Sequence, residues 1–340
     1  MNPARSESAI TEIEPHIETE SARSITWLQG SSVAGQAGEF ARPPRQMLRS
    51  LIERLLGIRL GSLRKHFPIP VQLPSPYYGR LGDRPSLTFS IVTPSYNQGR
   101  FLERTIQSVL SQDYSQLEYI VQDGGSIDET REILARYKDQ LRHCASQKDC
   151  GQAHAINLGF RHAHGDVLAY LNSDDVLLPG ALHYVADFLD DHPNVDVVYG
   201  HRIVIDETDR EVNRWVLPRH DDKILSWVDY IPQETLFWRR RIWEKVGGRL
   251  DEDFHFALDW DLLLRFRDAG AHFVRLPRFL GAFRVHPMQK TATMMWRTCV
   301  PESNRLYDRY HVRPRYRRML PYLVRHAFYQ RLYQLGVLRY

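Results

Sequence analysis

The chain has 340 residues, 43% hydrophobic and 25% charged, and its 45 Lys and Arg against 41 Asp and Glu leave a formal charge of +4. That composition is globular, with length for about two domains of roughly 150 residues, and it excludes general disorder, collagen and coiled coil. No run nears the ~18 apolar residues of a spanning helix and the acidic Met1 to Glu20 has no signal-peptide pattern, so the expected location is the cytoplasm, where Cys144, Cys150 and Cys299 stay reduced.

Residues 1–41 mix Ser, Glu, Thr, Ala and Gly without hydrophobic periodicity and read as a disordered or loosely attached tail. Residues 42–85 divide in two. Leu48, Leu51, Ile52, Leu55 and Leu56 recur at helical spacing among arginines, which predicts a basic amphipathic helix over Arg42 to Lys65. Such a helix either lies on an anionic membrane surface or packs its Leu face on the main domain, and the sequence leaves both open. Pro68, Pro70, Pro74 and Pro76 then break the helix into an extended linker.

From residue 86 the pattern alternates between short β-rich runs and helical stretches. Strands are predicted at Leu87 to Thr93, Leu117 to Gln122, near His143, at Val167 to Leu171 and at Val195 to Tyr199. Helices are predicted at Arg100 to Ser111, Ile127 to Leu141, Gln152 to His162 and Gly180 to Asp190, the second opened by a Ser126/Glu129 capping box. Alternation of this kind specifies βαβ units: an α/β fold with a mostly parallel sheet flanked by helices. Ligands of such sheets sit beyond the carboxyl ends of the strands, so the chemistry belongs to the loops there.

Those loops carry small and acidic residues. After the first strand come Pro94, Ser95, Tyr96 and Asn97; after the second, Asp123 with Gly124 and Gly125, which let backbone approach a ligand. Asp149 opens the third loop, and Asn172-Ser173-Asp174-Asp175 the fourth. Adjacent carboxylates at the end of a buried strand repel unless a cation or donors lie between them, and hard divalent ions suit that role while bridging to phosphates. The alternative is that these residues simply make turns and caps. No G-x-G-x-x-G or P-loop is present.

Taken in order, SIVTPSYNQGRFLERTIQSVLSQ, YIVQDGGSIDET, KDCGQAHAINLGF, GDVLAYLNSDDVLLPG and FALDWDLLLRF give residues 90–289 a pattern that resembles the family 2 glycosyltransferases. The resemblance implies a GT-A (Rossmann-like) domain over residues 86–290, with a donor half at 86–200 and an acceptor half at 201–290. It implies an inverting enzyme that uses Mg²⁺ or Mn²⁺ and a UDP-, GDP- or dTDP-sugar, acting on a glycan or lipid-linked acceptor in polysaccharide biosynthesis. By the same resemblance Pro94, Tyr96, Asp123, Asp149, Asp174 and Arg284 would bind the donor. Asp175, favoured as the direct ligand, would hold the metal with Asp174 and His286. Asp259 would be the catalytic base, and Gln233, Glu234 and Trp260 would face the acceptor. Two departures stand out: Asn172 replaces the commoner first Asp, and Leu258 replaces the Glu expected before Asp259. Asp261, two residues further, is expected to pair with Arg265 at i+4.

Residues 291–340 form a basic aromatic helical arm, with nine arginines from Arg305 onward and Asp308 as the acid among them. It reads as a seat on anionic lipid at the inner face of a membrane or as a lid packed on the core; nucleic acid is not an expected partner. Two competing functions remain at this point. Sugar-1-phosphate nucleotidyl transfer would require a basic Gly-rich loop near the chain start, which is missing; a catalytically inactive membrane-associated glycan-binding or scaffold protein would draw on the two departures.

Overall fold

The computed structural model describes residues 63, 65–78, 87–290, 295–313 and 316–340. The predicted tail at 1–41 lies outside the described residues, as do nearly all of the basic helix at 42–65 and the end of the linker.

The elements run β1 (Phe89–Ser95), α1 (Gly99–Leu110), β2 (Leu117–Asp123), α2 (Thr130–Tyr137), β3 (His143–Ser146), α3 (Gln152–Phe160), β4 (Val167–Tyr170), β5 (Val176–Leu177) and α4 (Ala181–Asp191). They continue with β6 (Val197–Ile205), β7 (Glu211–Trp215), α5 (Asp222–Leu225), β8 (Phe237–Arg239), α6 (Arg240–Lys245), α7 (Leu258–Asp268), β9 (Phe273–Arg284), α8 (Val300–Arg309) and α9 (Tyr316–Gln334). One sheet holds all nine strands in the order β3-β2-β1-β4-β8-β6-β9-β5, with β7 beside β6.

The half that precedes β8 is parallel as predicted, and β1 is buried along its whole length because helices cover both faces. Beyond it the sheet is mixed: β8 runs antiparallel to β4 and β6, whereas β6 and β9 are parallel. Phe89 and Ile91 face the cluster built with Leu102, Ile106, Leu182 and Val185. Val92 faces the opposite cluster with Ile156, Phe160, Leu262 and Phe266.

The predicted capping box does not form. Helix α2 starts at Thr130, whose N–H donates to Asp128 Oδ1 at 3.1 Å, while the Ser126 hydroxyl turns back to Asp123. The C-terminal arm packs inward: Leu306, Tyr307, Met319, Tyr322, Leu323 and Ala327 belong to the main core. Among the described residues no helix is long and apolar enough to cross a membrane, and no disulfide joins the three cysteines.

Candidate active site

The loops at the carboxyl ends of β1 and β2 are tied together. The Asn97 N–H donates to Ser126 Oγ at 2.7 Å, and the Ile127 N–H donates to Asn97 Oδ1 at 3.0 Å. Asp123 is fully buried and its carboxylate receives the N–H groups of Gly125 and Ser126 and the hydroxyls of Ser126 and Ser146. Three of these converge on Oδ2 and the Ser126 hydroxyl reaches Oδ1, so Asp123 shapes its own loop. Asp149 receives the Gly151 N–H at 2.8 Å and lies so close to Gly124 that a Cβ there would sit 2.8 Å from its Oδ2. Tyr96 is 64% exposed beside these loops, while Pro94 is buried within β1.

The fourth loop is held from below by Thr105 of α1, whose hydroxyl reaches the carbonyls of Ser173 and Asp175. Its two acids part ways. Asp174 turns to the rim, where its Oδ2 lies 3.0 Å from Nε2 of His286, whose ring packs on Phe101. Asp175 is 1% exposed and its Oδ1 accepts the backbone N–H of Arg284 at 3.0 Å, so the acid favoured as direct metal ligand sits beneath the one that meets His286. Arg284 is a further correction. Its side chain is fully buried, donates from Nε to the Asp174 carbonyl at 2.7 Å and pairs with Asp209, so it braces the acidic loop.

Asn172 stands in a chain of amides. It donates to Gln233 Oε1 at 3.1 Å and accepts from Gln152 Nε2 at 2.6 Å; Gln233 in turn donates to the Tyr170 carbonyl, and Lys290 donates to Gln152. Glu234, expected at the acceptor, is committed to a bidentate ion pair with Arg202 at 2.7 and 2.6 Å. The Arg202 guanidinium also lies over the rings of Phe283 and Trp215.

A cleft of about 160 Å³ joins these parts, lined by Gln152, Asn172, Asp175 and Lys290, by Asp259 and Asp229, and by Trp215, Phe283 and Leu63. Burial raises the Asp259 carboxyl to about 6, against the pull of the Trp260 N–H, Arg202 and Lys290. Trp260 does not face the cleft. One position along α7 from Asp259, it is 2% exposed, donates its indole N–H to the Leu225 carbonyl and packs edge-on against Tyr307. Asp261 pairs with Arg265 as expected, and also with Arg309. At the start of α7 Leu258 is core, and a carboxylate comes from α8 instead: Glu302 receives the N–H groups of His255, Phe256 and Ala257, each at 2.8 Å.

Residues 90–258 match the model of the family described as glycosyl transferase family 2. An uncharacterized glycosyltransferase of Mycobacterium tuberculosis is 32% identical over 184 residues, covering 52% of this chain and 68% of the relative. The chain belongs to glycosyl transferase family 2. An uncharacterized glycosyltransferase of a Nostoc species is 30% identical over 173 residues, 47% of this chain and 53% of the relative, so the chain spans little more than half of that protein. Among solved structures, S. aureus TarS 1-349 in complex with UDP-GlcNAc is similar with a TM-score of 0.52 and 18% identity over 61% of either chain. Mannosyltransferase PcManGT from Pyrobaculum calidifontis, in complex with GDP-Man and Mn²⁺, has a TM-score of 0.50 and 18% identity over 84% of this chain and 77% of its own. These two establish the GT-A fold.

Sequence reasoning missed several residues of this site: Gln152 and Lys290 in the amide chain, Arg202 and Asp229 in the cleft, and Glu302 at the start of α7. Gln152 lies within one of the motifs. The other four carry no local signature, because each reaches the site from an element remote in sequence.

Proposed function

We propose that this chain transfers a sugar with inversion from a UDP-, GDP- or dTDP-sugar to a hydroxyl of a glycan or lipid-linked acceptor in polysaccharide biosynthesis. The observation that carries the proposal is the shared cleft, which Asn172 and Asp175 of the acidic loop line together with Asp259. The fold is common to proteins holding UDP-GlcNAc and GDP-Man, which supports a nucleotide-diphosphate donor.

Asp259 would take the proton of the acceptor hydroxyl as its oxygen attacks the anomeric carbon from the face opposite the diphosphate. The acceptor O–H bond breaks, the glycosidic C–O bond forms, and the electron pair of the old C–O bond leaves with the diphosphate. A positioned base of this kind contributes about 10²–10⁴-fold, and a carboxyl near 6 is matched to neutral pH. Asp174 and His286 would hold a divalent ion. Among the described residues no three His, Cys, Asp or Glu side chains gather as a complete site, so two protein donors with diphosphate oxygens and water fit the chemistry of Mg²⁺ or Mn²⁺. When bound, such an ion offsets the charge that grows on the departing diphosphate.

The outer face of α9 supports an additional role at anionic membrane surfaces. Val324 and Phe328 lie four residues apart there, with Leu335 in the turn just past the helix end; Val324 is 44%, Phe328 53% and Leu335 60% exposed. Binding to vesicles containing anionic lipid, lost on Phe328→Glu, tests that role.

The enzymatic proposal is tested by incubating the protein with radiolabelled UDP-, GDP- and dTDP-sugars with and without Mn²⁺. Metal-stimulated release of labelled sugar is expected. No turnover with any donor, and no nucleotide binding, would overturn the proposal in favour of an inactive glycan-binding protein.

A further inference from the structure

Asp229 lines the cleft from the segment between α5 and β8. Its Oδ1 is shielded from bulk solvent and has no hydrogen-bond partner within the protein. Leaving such an atom unmet is costly, and native structures rarely tolerate it without a reason. The neighbouring cation does not resolve it, since Arg202 gives Nε and one terminal nitrogen to Glu234.

We infer that Asp229 is a second acceptor-binding residue, whose Oδ1 meets a hydroxyl of a neutral sugar beside the hydroxyl that gives its proton to Asp259. This rests on the glycosyl transfer proposed above. The charged and titratable groups around Asp229 are Asp259 on α7, Arg202 on β6, Tyr170 on β4 and Cys299 before α8. Burial, reinforced by Asp259, pushes the Asp229 carboxyl well above its ordinary value. That shift favours the neutral acid, and a neutral carboxylic acid both donates to and accepts from a sugar hydroxyl. During transfer the acceptor proton goes to Asp259, and Asp229 retains its own.

The walls point to the same ligand class. Trp215, Phe256 and Phe283 line the cleft and give it apolar walls of the kind that suit the carbon skeleton of a sugar. Even with Asp229 neutral, the acidic Asp175, Glu234 and Asp259 face only two cations, Arg202 and Lys290, so the cleft presents no excess positive charge to a phosphate-bearing acceptor. A void of about 10 Å³ behind Asp229, near Cys299 and Ser303, is the size of one water and is the rival occupant.

The test uses the full chain saturated with UDP or GDP and Mn²⁺, and methyl glycosides of neutral hexoses as probes, with binding read by ligand-observed NMR titration. Asp229→Ala should weaken glycoside binding at least tenfold with nucleotide affinity kept, and Asp229→Asn, which retains a donor and an acceptor, should restore it to within about threefold. Glycerol phosphate should bind at least tenfold more weakly than the glycosides. Unchanged glycoside affinity in Asp229→Ala would assign Oδ1 to water and overturn the inference, as would failure of every neutral glycoside to bind the wild type or equal binding of glycerol phosphate. Should Asp229→Ala not fold, Asp229→Asn and Asp229→Leu replace it, and an Asn variant no better than Leu overturns the inference. Loss of nucleotide binding by the wild type would instead sink the glycosyl-transfer proposal itself.

Discussion

Glu302 on α8 accepts the backbone N–H of Ala257 at 2.8 Å, and with it those of His255 and Phe256. The first N–H groups of a helix lack intrahelical partners, and a carboxylate there also meets the positive end of the helix dipole. A side chain from the C-terminal arm thus fixes the end of α7 from which Asp259 projects. Glu302→Ala should lower the unfolding free energy by about 1–3 kcal/mol in urea titration, as for charge-assisted hydrogen bonds left unmet. Turnover should fall as well, because the base loses its fixed position; unchanged stability would show that water replaces the carboxylate at no cost.

Asp174 and His286 should matter to metal-assisted nucleotide binding far more than Asp175. His286→Ala or Asp174→Asn removes one donor of the pair 3.0 Å apart, and calorimetry with UDP or GDP should show a loss of at least ~10-fold in Mn²⁺-dependent affinity. Asp175→Asn keeps an oxygen to accept the Arg284 N–H in its buried position and should retain most of that affinity. The reverse ranking would return the metal to Asp175.

These two acids also mark how far the sequence could be read. The β1, β2 and β4 loops were legible because a strand, its loop and the next helix are contiguous, so motif and geometry coincide. Which of two adjacent acids faces outward is decided elsewhere, by the β5–β9 pairing that sets the Arg284 N–H over Asp175. Trp260 and Arg284 were misjudged for a related reason. Their chemistry suits a binding site, but α7 turns Trp260 into the core with its indole N–H on Leu225, and Arg284 spends its guanidinium on the Asp174 carbonyl and Asp209.

The Asp259 carboxyl, raised by burial from 3.8 to about 6, gives two linked pH effects. The unprotonated form is the base, so transfer should fall about tenfold per pH unit below pH 6. Stability runs the other way: between pH 4 and 6 the folded state holds more protons than the unfolded one, so this group's contribution declines as pH rises through that window. Asp259→Asn removes the buried charge and should be more stable than the wild type at pH 8 but not at pH 4, with transfer lost by ~10²-fold or more at pH 8 and a deficit that shrinks toward pH 4, where the wild-type base is itself protonated. Chemical denaturation at the two pH values checks the sign.

Asn172 occupies a position where a second polarity would not serve. Gln233 is oriented by its own donation to the Tyr170 carbonyl at 2.7 Å, which leaves Oε1 facing Asn172 as an acceptor. A carboxylate at 172 would set oxygen against oxygen there, while Gln152 could still donate to it on the other side. Reversing Gln233 to supply a donor would abandon the Tyr170 carbonyl, a buried acceptor. Asn172→Asp should therefore cost about 1–3 kcal/mol in stability and lower the melting temperature. The second change Gln233→Lys, which puts a cation opposite the new carboxylate, should recover part of the loss in a double-mutant cycle. Wild-type stability in Asn172→Asp would mean that the amide chain does not dictate the residue at this position, and the departure from an Asp would lack a structural cause.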